Sequence, residues 1–222
     1  MSDTTRWWWI RHAPVINHGG RIYGQDDPDC DCSDEATLKA LAGMLPADAV
    51  WITSHLQRTQ RTAASIIAHL PGGAASAPLT EPAIAEQNFG DWQGLTHDEL
   101  ARSARRDGAW HRFWIAPARE TPPGGESFVQ VVERVSAAVA RLSAEHAGRD
   151  IVAVSHGGAI RAALGLALEL DPDRALSFAI YNFALTRIDH IPGAPGSHEP
   201  QTDGAWRVVA VNVLPGGLVT KT

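Results

Sequence analysis

Two arginines and two histidines stand where short apolar runs end. Arg11 and His12 follow "WWWI", Ser54 and then Arg58 follow "AVWIT", and Ser155 and His156 follow "DIVAV". Guanidinium groups stay charged, and their planar forks match phosphate oxygens. A neutral imidazole aimed in line is a nucleophile toward phosphorus. The charge that develops on a transferring phosphoryl group is stabilised by cations, here two arginines and a second, protonated histidine. The leaving oxygen needs a proton, and Glu86, in the loop-like "AEQNFGDWQGL", is the candidate acid. Gly157 and Gly158 allow close backbone approach, and helix starts near Ser54 and after His156 offer N–H groups to an anion.

The elements that must hold these groups follow from periodicity. Trp7–Ile10, "AVWIT" and "DIVAVS" read as strands buried on both faces, the pattern of a parallel sheet. The three tryptophans are thus an anchoring core, and Arg11 and His12 the tip it supports. Ser33 starts a helix through Leu45, and Ser54 with Gln57 forms a capping-box pattern for the next. Thr96 with Glu99 and Ser127 with Gln130 repeat that pattern, and a further helix follows Gly157. "NFALTRIDH" and "AWRVVAVNV" are late strands, and "IPGAPGSHEPQTDG" between them reads as a mobile loop. Alternating strands and helices imply an α/β fold, a three-layer αβα sandwich around a mainly parallel sheet of about six strands. In such sheets ligands bind beyond the carboxyl ends of the strands, where these residues fall.

The 222 residues suffice for a single domain, 1–222, with a small helical, cap-like insertion at about 92–124. A formal net charge of −6 argues against a nucleic-acid surface, so an anion site must be a local positive pocket. No apolar run has signal-peptide or membrane-span length, so a cytoplasmic protein with no membrane partner is expected. Cys30 and Cys32 are too few for a zinc site or a disulfide framework and read as ordinary loop residues. No metal or other cofactor is implied, and the ten histidines show no clustered ligand spacing. A homodimer is compatible with all of this.

Five stretches, in order, resemble the histidine phosphatase superfamily (phosphoglycerate mutase-like): "RHAP", "SHLQRTQRT", "EQNFGDWQG", "PPGGES" and "VSHGGAIR". The resemblance implies that His12 is the nucleophile and carries a phosphohistidine. It implies that Arg11, Arg58 and His156 complete the phosphate pocket, and that Glu86 protonates the leaving group and then deprotonates water. No metal is required in that family. Departures are Ala13 in place of glycine, Pro14 in place of an acidic residue, and His18 where an asparagine often stands, with Asn17 one position early. "GRIYGQDD" is similar to the family's substrate-side loop, which adds Tyr23 and Gly24 to the substrate-binding candidates Arg11, Asn17, Arg58, His156 and Gly157.

The segment after the acidic loop is short for a mutase, so the resemblance points to the phosphatase branch, similar to α-ribazole and broad-specificity phosphatases. The expected function is metal-independent hydrolysis of a small-molecule phosphomonoester through phosphohistidine. The alternatives are phosphoglycerate mutase-type phosphoryl transfer and a non-catalytic phospho-ligand-binding module. Arg102, Arg105, Arg106, His111 and Arg112 are either a distal anion grip or a solvated helix face. Trp92, Trp110 and Trp114 either line a substrate pocket or pack the insertion.

Overall fold

The computed structural model describes residues 4–102, 111–193 and 204–216. Arg105, Arg106, Trp110 and most of the loop between the last two strands lie outside them.

The strands are β1 (Thr5–Arg11), β2 (Val50–Thr53), β3 (Leu79–Thr80), β4 (Asp150–Ser155), β5 (Leu185–Ile191) and β6 (Ala205–Val213). They form one sheet in the order β3-β2-β4-β1-β5-β6. The first four are mutually parallel, β5 is antiparallel to β1, and β6 is antiparallel to β5. The helices are α1 (Glu35–Met44), α2 (Gln57–Ile67), α3 (His97–Arg102), α4 (Phe128–Glu145), α5 (Gly157–Ala167) and α6 (Pro172–Ala175).

Strand alternation builds the expected three layers. Trp7 and Trp9, Val50 and Ile52, and Ile151 and Ala153 pack with Val131, Val135 and Val139 of α4 and Ile160 of α5. The intervening Ile10, Trp51, Val152 and Val154 pack with Leu38 and Leu41 of α1 and Ala63 and Ile66 of α2. Successive side chains point to opposite faces, so a strand covered on both faces must be apolar throughout. The middles of the parallel triplet, Val50–Ile52, Ile151–Val154 and Trp7–Ile10, satisfy this, and Trp7 and Trp9 stack at 5.1 Å between ring centroids. Trp8 departs from the expected full burial. It is half-buried, with the Arg187 guanidinium over its ring and its Nε1 donating to Asp150 Oδ1 at 2.9 Å.

Two expected caps are corrected. Asp34, not Ser33, caps α1 by accepting from Thr37 N at 3.0 Å. Leu56 stands at the N-cap of α2 without a side-chain bond, and Ser54 and Gln57 form no capping box. The boxes of Thr96 with Glu99 and Ser127 with Gln130 both form.

Candidate active site

β2, β4 and β1 are neighbours, so their carboxyl ends open onto one rim. The pairing runs one residue past the strands, where His12 N donates to Ser155 O at 2.9 Å. The antiparallel β5 brings the loop that precedes it to the same place. Phe183 N donates to Arg11 O, and Asn182 Nδ2 donates to His12 O at 2.8 Å. The His12 and His156 rings end 5.1 Å apart, tilted by 59°.

His12 is buried, and its Nδ1 lies 2.6 Å from the Ala13 carbonyl. A carbonyl only accepts, so Nδ1 carries the proton and Nε2 of the neutral ring keeps its lone pair. Burial, then the nearby charges of Arg58 and Arg11, push the His12 pKa well below its ordinary value. The neighbouring turn is fastened to α2: Ala13 N donates to Thr62 Oγ1 at 2.9 Å, and Thr62 Oγ1 donates to Arg58 O at 2.6 Å.

Arg58 is 1% exposed. Its Nη2 donates to Gly24 O at 2.6 Å and its Nη1 to Asp26 O at 2.9 Å, with Asp27 Oδ1 at 3.4 Å. The guanidinium also lies over the Tyr23 ring, 5.2 Å from its centroid. Arg11 Nη1 donates to Ile180 O. His156 is fully buried, with Nε2 2.8 Å from Ser54 Oγ. Burial, then the charges of Arg58, His12 and Arg11, push His156 well down as well. Desolvation and two guanidinium groups thus favour the neutral ring, against the protonated second histidine expected from the sequence.

Three buried nitrogens of these residues have no hydrogen-bond partner among the described residues: Arg11 Nε, Arg58 Nε and His156 Nδ1. Buried polar groups are normally paired, so three unpaired nitrogens on residues within Coulombic reach of one another describe a cradle for an anion. The helix starts contribute less than expected. Asp27 Oδ2 accepts from Gln57 N at 2.7 Å, so α2 is already served by a carboxylate. Gly158 N donates to Glu86 Oε1 at 3.1 Å, so the N-terminus of α5 holds the candidate acid. A Cβ on Gly158 would collide with that oxygen, so a larger residue there would displace the Glu86 carboxylate.

Glu86 is 7% exposed and lines, with Arg11, a cavity of about 760 Å³. The candidates Tyr23 and Gly24 stand on its wall, together with Phe89, Trp114, His18, Arg21, His97, His111 and Arg112. Gly157 starts α5 beside the arginines, and a Cβ placed there would lie 3.8 Å from the Arg11 guanidinium carbon. Asn17 is not brought to the cavity: it is an exposed turn residue with φ of +58°, and His18 lines the wall instead. Trp92 is core, packed with Ile22, Phe89, Leu100 and Ala116, whereas Trp114 lines the cavity.

Sequence reasoning missed Arg161. It is 8% exposed, donates from Nε to Phe178 O at 2.8 Å and lies 4.5 Å from the Trp114 ring centroid. Burial holds its guanidinium down at about 10, opposed by the Glu86 charge. The available signal was its position four residues after Gly157 in "GGAIR", on the same face of α5. Asn182 was missed as well, because nothing local to "YNFAL" announces a contact with His12. Arg134 was also missed. It pairs with Glu126 and donates to Ala83 O and Glu86 O, fastening the acidic loop to α4.

The family described as "Histidine phosphatase superfamily (branch 1)" matches residues 7–201. A bifunctional protein of Mycobacterium tuberculosis is 32% identical over 169 residues, covering 74% of this chain and 44% of the relative. The chain thus spans less than half the length of the first curated relatives it matches. A glucosyl-3-phosphoglycerate phosphatase of Mycolicibacterium vanbaalenii is 33% identical over 177 residues, 74% of each chain. The solved structure of mycobacterial hydrolase 1 superposes with a TM-score of 0.77 at 28% identity, over 94% of this chain and 99% of that one. The pair of buried histidines at neighbouring strand ends and the breadth of the match lead to one assignment: the chain belongs to branch 1 of the histidine phosphatase superfamily.

Proposed function

We propose that the protein hydrolyses a small-molecule phosphomonoester through a phosphohistidine on His12. The observation that carries this is the trio of unpaired buried nitrogens, Arg11 Nε, Arg58 Nε and His156 Nδ1, grouped around a neutral histidine. The bound phosphate would accept from all three. With the Ser54 hydroxyl donating to Nε2, a neutral His156 still offers an N–H at Nδ1. His12 Nε2 attacks phosphorus as the bond to the leaving oxygen breaks, and Glu86 supplies the proton that oxygen needs. Water then attacks the phosphorus of the phosphohistidine, Glu86 takes its proton, and inorganic phosphate leaves a neutral His12. Relatives named as glucosyl-3-phosphoglycerate phosphatases support the hydrolase reading. The leaving group would occupy the 760 Å³ cavity, so its walls at 18–24 and 111–115 select the substrate.

The test is mass spectrometry of protein quenched at alkaline pH during turnover of p-nitrophenyl phosphate. A phosphoryl adduct on His12, absent together with turnover in a folded His12→Ala variant, is the expected result. In the same assay Glu86→Gln loses more rate on alkyl phosphates than on p-nitrophenyl phosphate, whose leaving group needs little protonation. Near-normal turnover by His12→Ala overturns the mechanism.

A further inference from the structure

The two cysteines lie where the phosphate pocket is anchored. Cys30 Sγ is 3.8 Å from Cys32 Sγ and 3.7 Å from the carbonyl oxygen of Arg58. Cys30 also forms a bridge with Val15, flanked by Ile16 N donating to Asp29 O at 3.0 Å and Asp31 N donating to Pro14 O at 2.8 Å. The thiol-bearing segment is therefore laced to the residues that follow His12 and Ala13. Upstream, the same loop supplies the Gly24 and Asp26 carbonyls and the Asp27 carboxylate that hold the Arg58 side chain. Cys30 thus touches the backbone of Arg58, and its loop holds the guanidinium. Cys30 is buried and Cys32 is partly exposed.

We propose that Cys30 and Cys32 are a dithiol oxidised by peroxide to a disulfide that loosens the Arg58 side of the phosphate pocket. The consequence for activity rests on the hydrolase reading above, whereas the disulfide itself does not. The accessible Cys32 thiolate attacks hydrogen peroxide, forming a sulfenic acid and releasing hydroxide, which takes up the thiol's proton as water. The Cys30 sulfur then displaces the sulfenic oxygen as a second water, with its own proton leaving in that water. Two thiols are oxidised by two electrons and one peroxide is reduced. Burial, with Cys32 beside it, pushes the Cys30 thiol up to about 12, so the first attack on peroxide falls to the partly exposed Cys32, and Cys30 gives up its proton only as the sulfenic oxygen leaves.

A disulfide brings the sulfurs to about 2.05 Å, well inside their present separation. Drawing Cys30 Sγ toward Cys32 takes it from Arg58 O, and drawing Cys32 inward pulls on the segment paired with Pro14 to Ile16 beside His12. The expected effect is a loss in kcat/KM of at least about fivefold, since small displacements of a positioned group are costly.

The experiment treats reduced enzyme with hydrogen peroxide and follows the peptide holding both cysteines by mass. A loss of about 2 Da on that peptide, a parallel fall in p-nitrophenyl phosphate turnover and in inorganic phosphate binding by calorimetry, and recovery on adding dithiothreitol are expected. Cys32→Ser keeps its basal rate and resists the same treatment. A gain of oxygen on Cys32 without the disulfide overturns the proposal, as does a disulfide that leaves both turnover and phosphate binding unchanged. Should reduced enzyme hydrolyse nothing, the hydrolase reading falls, while mass and phosphate binding still decide the dithiol.

Discussion

His12 illustrates how a residue acquires a task from its surroundings. A histidine of ordinary pKa is partly charged near neutrality, and a charged imidazole has no lone pair to offer. Burial and two guanidinium neighbours remove that charge, and the Ala13 carbonyl selects the tautomer. The same environment leaves a signature in stability. In the unfolded chain His12 and His156 bind protons as pH falls through about 6.5. In the folded, unliganded protein both pKa values lie below that, so acid favours unfolding. Their contribution is fully present above the unfolded value and is lost as pH falls below it. The melting temperature should therefore drop more steeply from pH 7 to pH 5.5 in the wild type than in a folded variant carrying His12→Asn and His156→Gln. Equal slopes would mean that these rings are not held neutral.

At the scale of elements, the site depends on side chains that secondary-structure reasoning assigns to other work. Ser54 reads as a helix cap, yet its hydroxyl meets His156 and accepts from Leu56 N at 3.2 Å. Thr62 reads as one more helical residue, yet it ties the Ala13 amide to α2. Replacing it in Thr62→Val leaves that buried N–H without an acceptor, which costs about 1–3 kcal/mol. The turn beside His12 then shifts, and kcat/KM should fall by roughly tenfold or more. Ser127→Ala is the contrast. It removes the capping box of α4, costs about 1 kcal/mol, and should leave kcat/KM unchanged because Ser127 supports only the helix start. Equal kinetic effects of the two substitutions, measured where both variants are fully folded, would deny Thr62 its positioning role. The strands and long helices were legible because apolar runs and periodic stripes record burial directly. The two-residue β3 is too short for any periodicity, and the 3₁₀ turns Pro82–Ile84 and Gly90–Trp92 that shape the acidic loop carry only local turn chemistry. Arg11, His12, Arg58, Glu86 and His156 were legible as candidates because four of the five ordered motifs contain them. Asn182, Arg134 and Arg161 were not, because their partners are distant in sequence or lie on a face whose role is visible only in three dimensions.

At the scale of the whole molecule, an acidic protein concentrates positive charge around one opening. The formal net charge is −6, yet Arg11, Arg21 and Arg112 line a cavity in which Glu86 is the one acidic lining residue among those described. Arg21 is partly committed, pairing with Glu99 Oε2 at 3.2 Å and donating to Gly94 O. Arg112 is exposed at the mouth. Such a field draws in anions and penalises neutral leaving groups only by omission. A leaving group that carries its own carboxylate or second phosphate would meet this rim while its reacting phosphate lies against Arg11 and Arg58. Arg112→Ala should therefore raise KM for doubly anionic esters by about fivefold, the scale of an exposed ion pair of up to ~1 kcal/mol. Turnover of a phosphate ester with a neutral leaving group should change by less than about twofold, and added salt should shrink the difference between the substrates. Equal changes for both substrate types would show that the basic rim steers phosphate generally and reads nothing of what the phosphate is attached to.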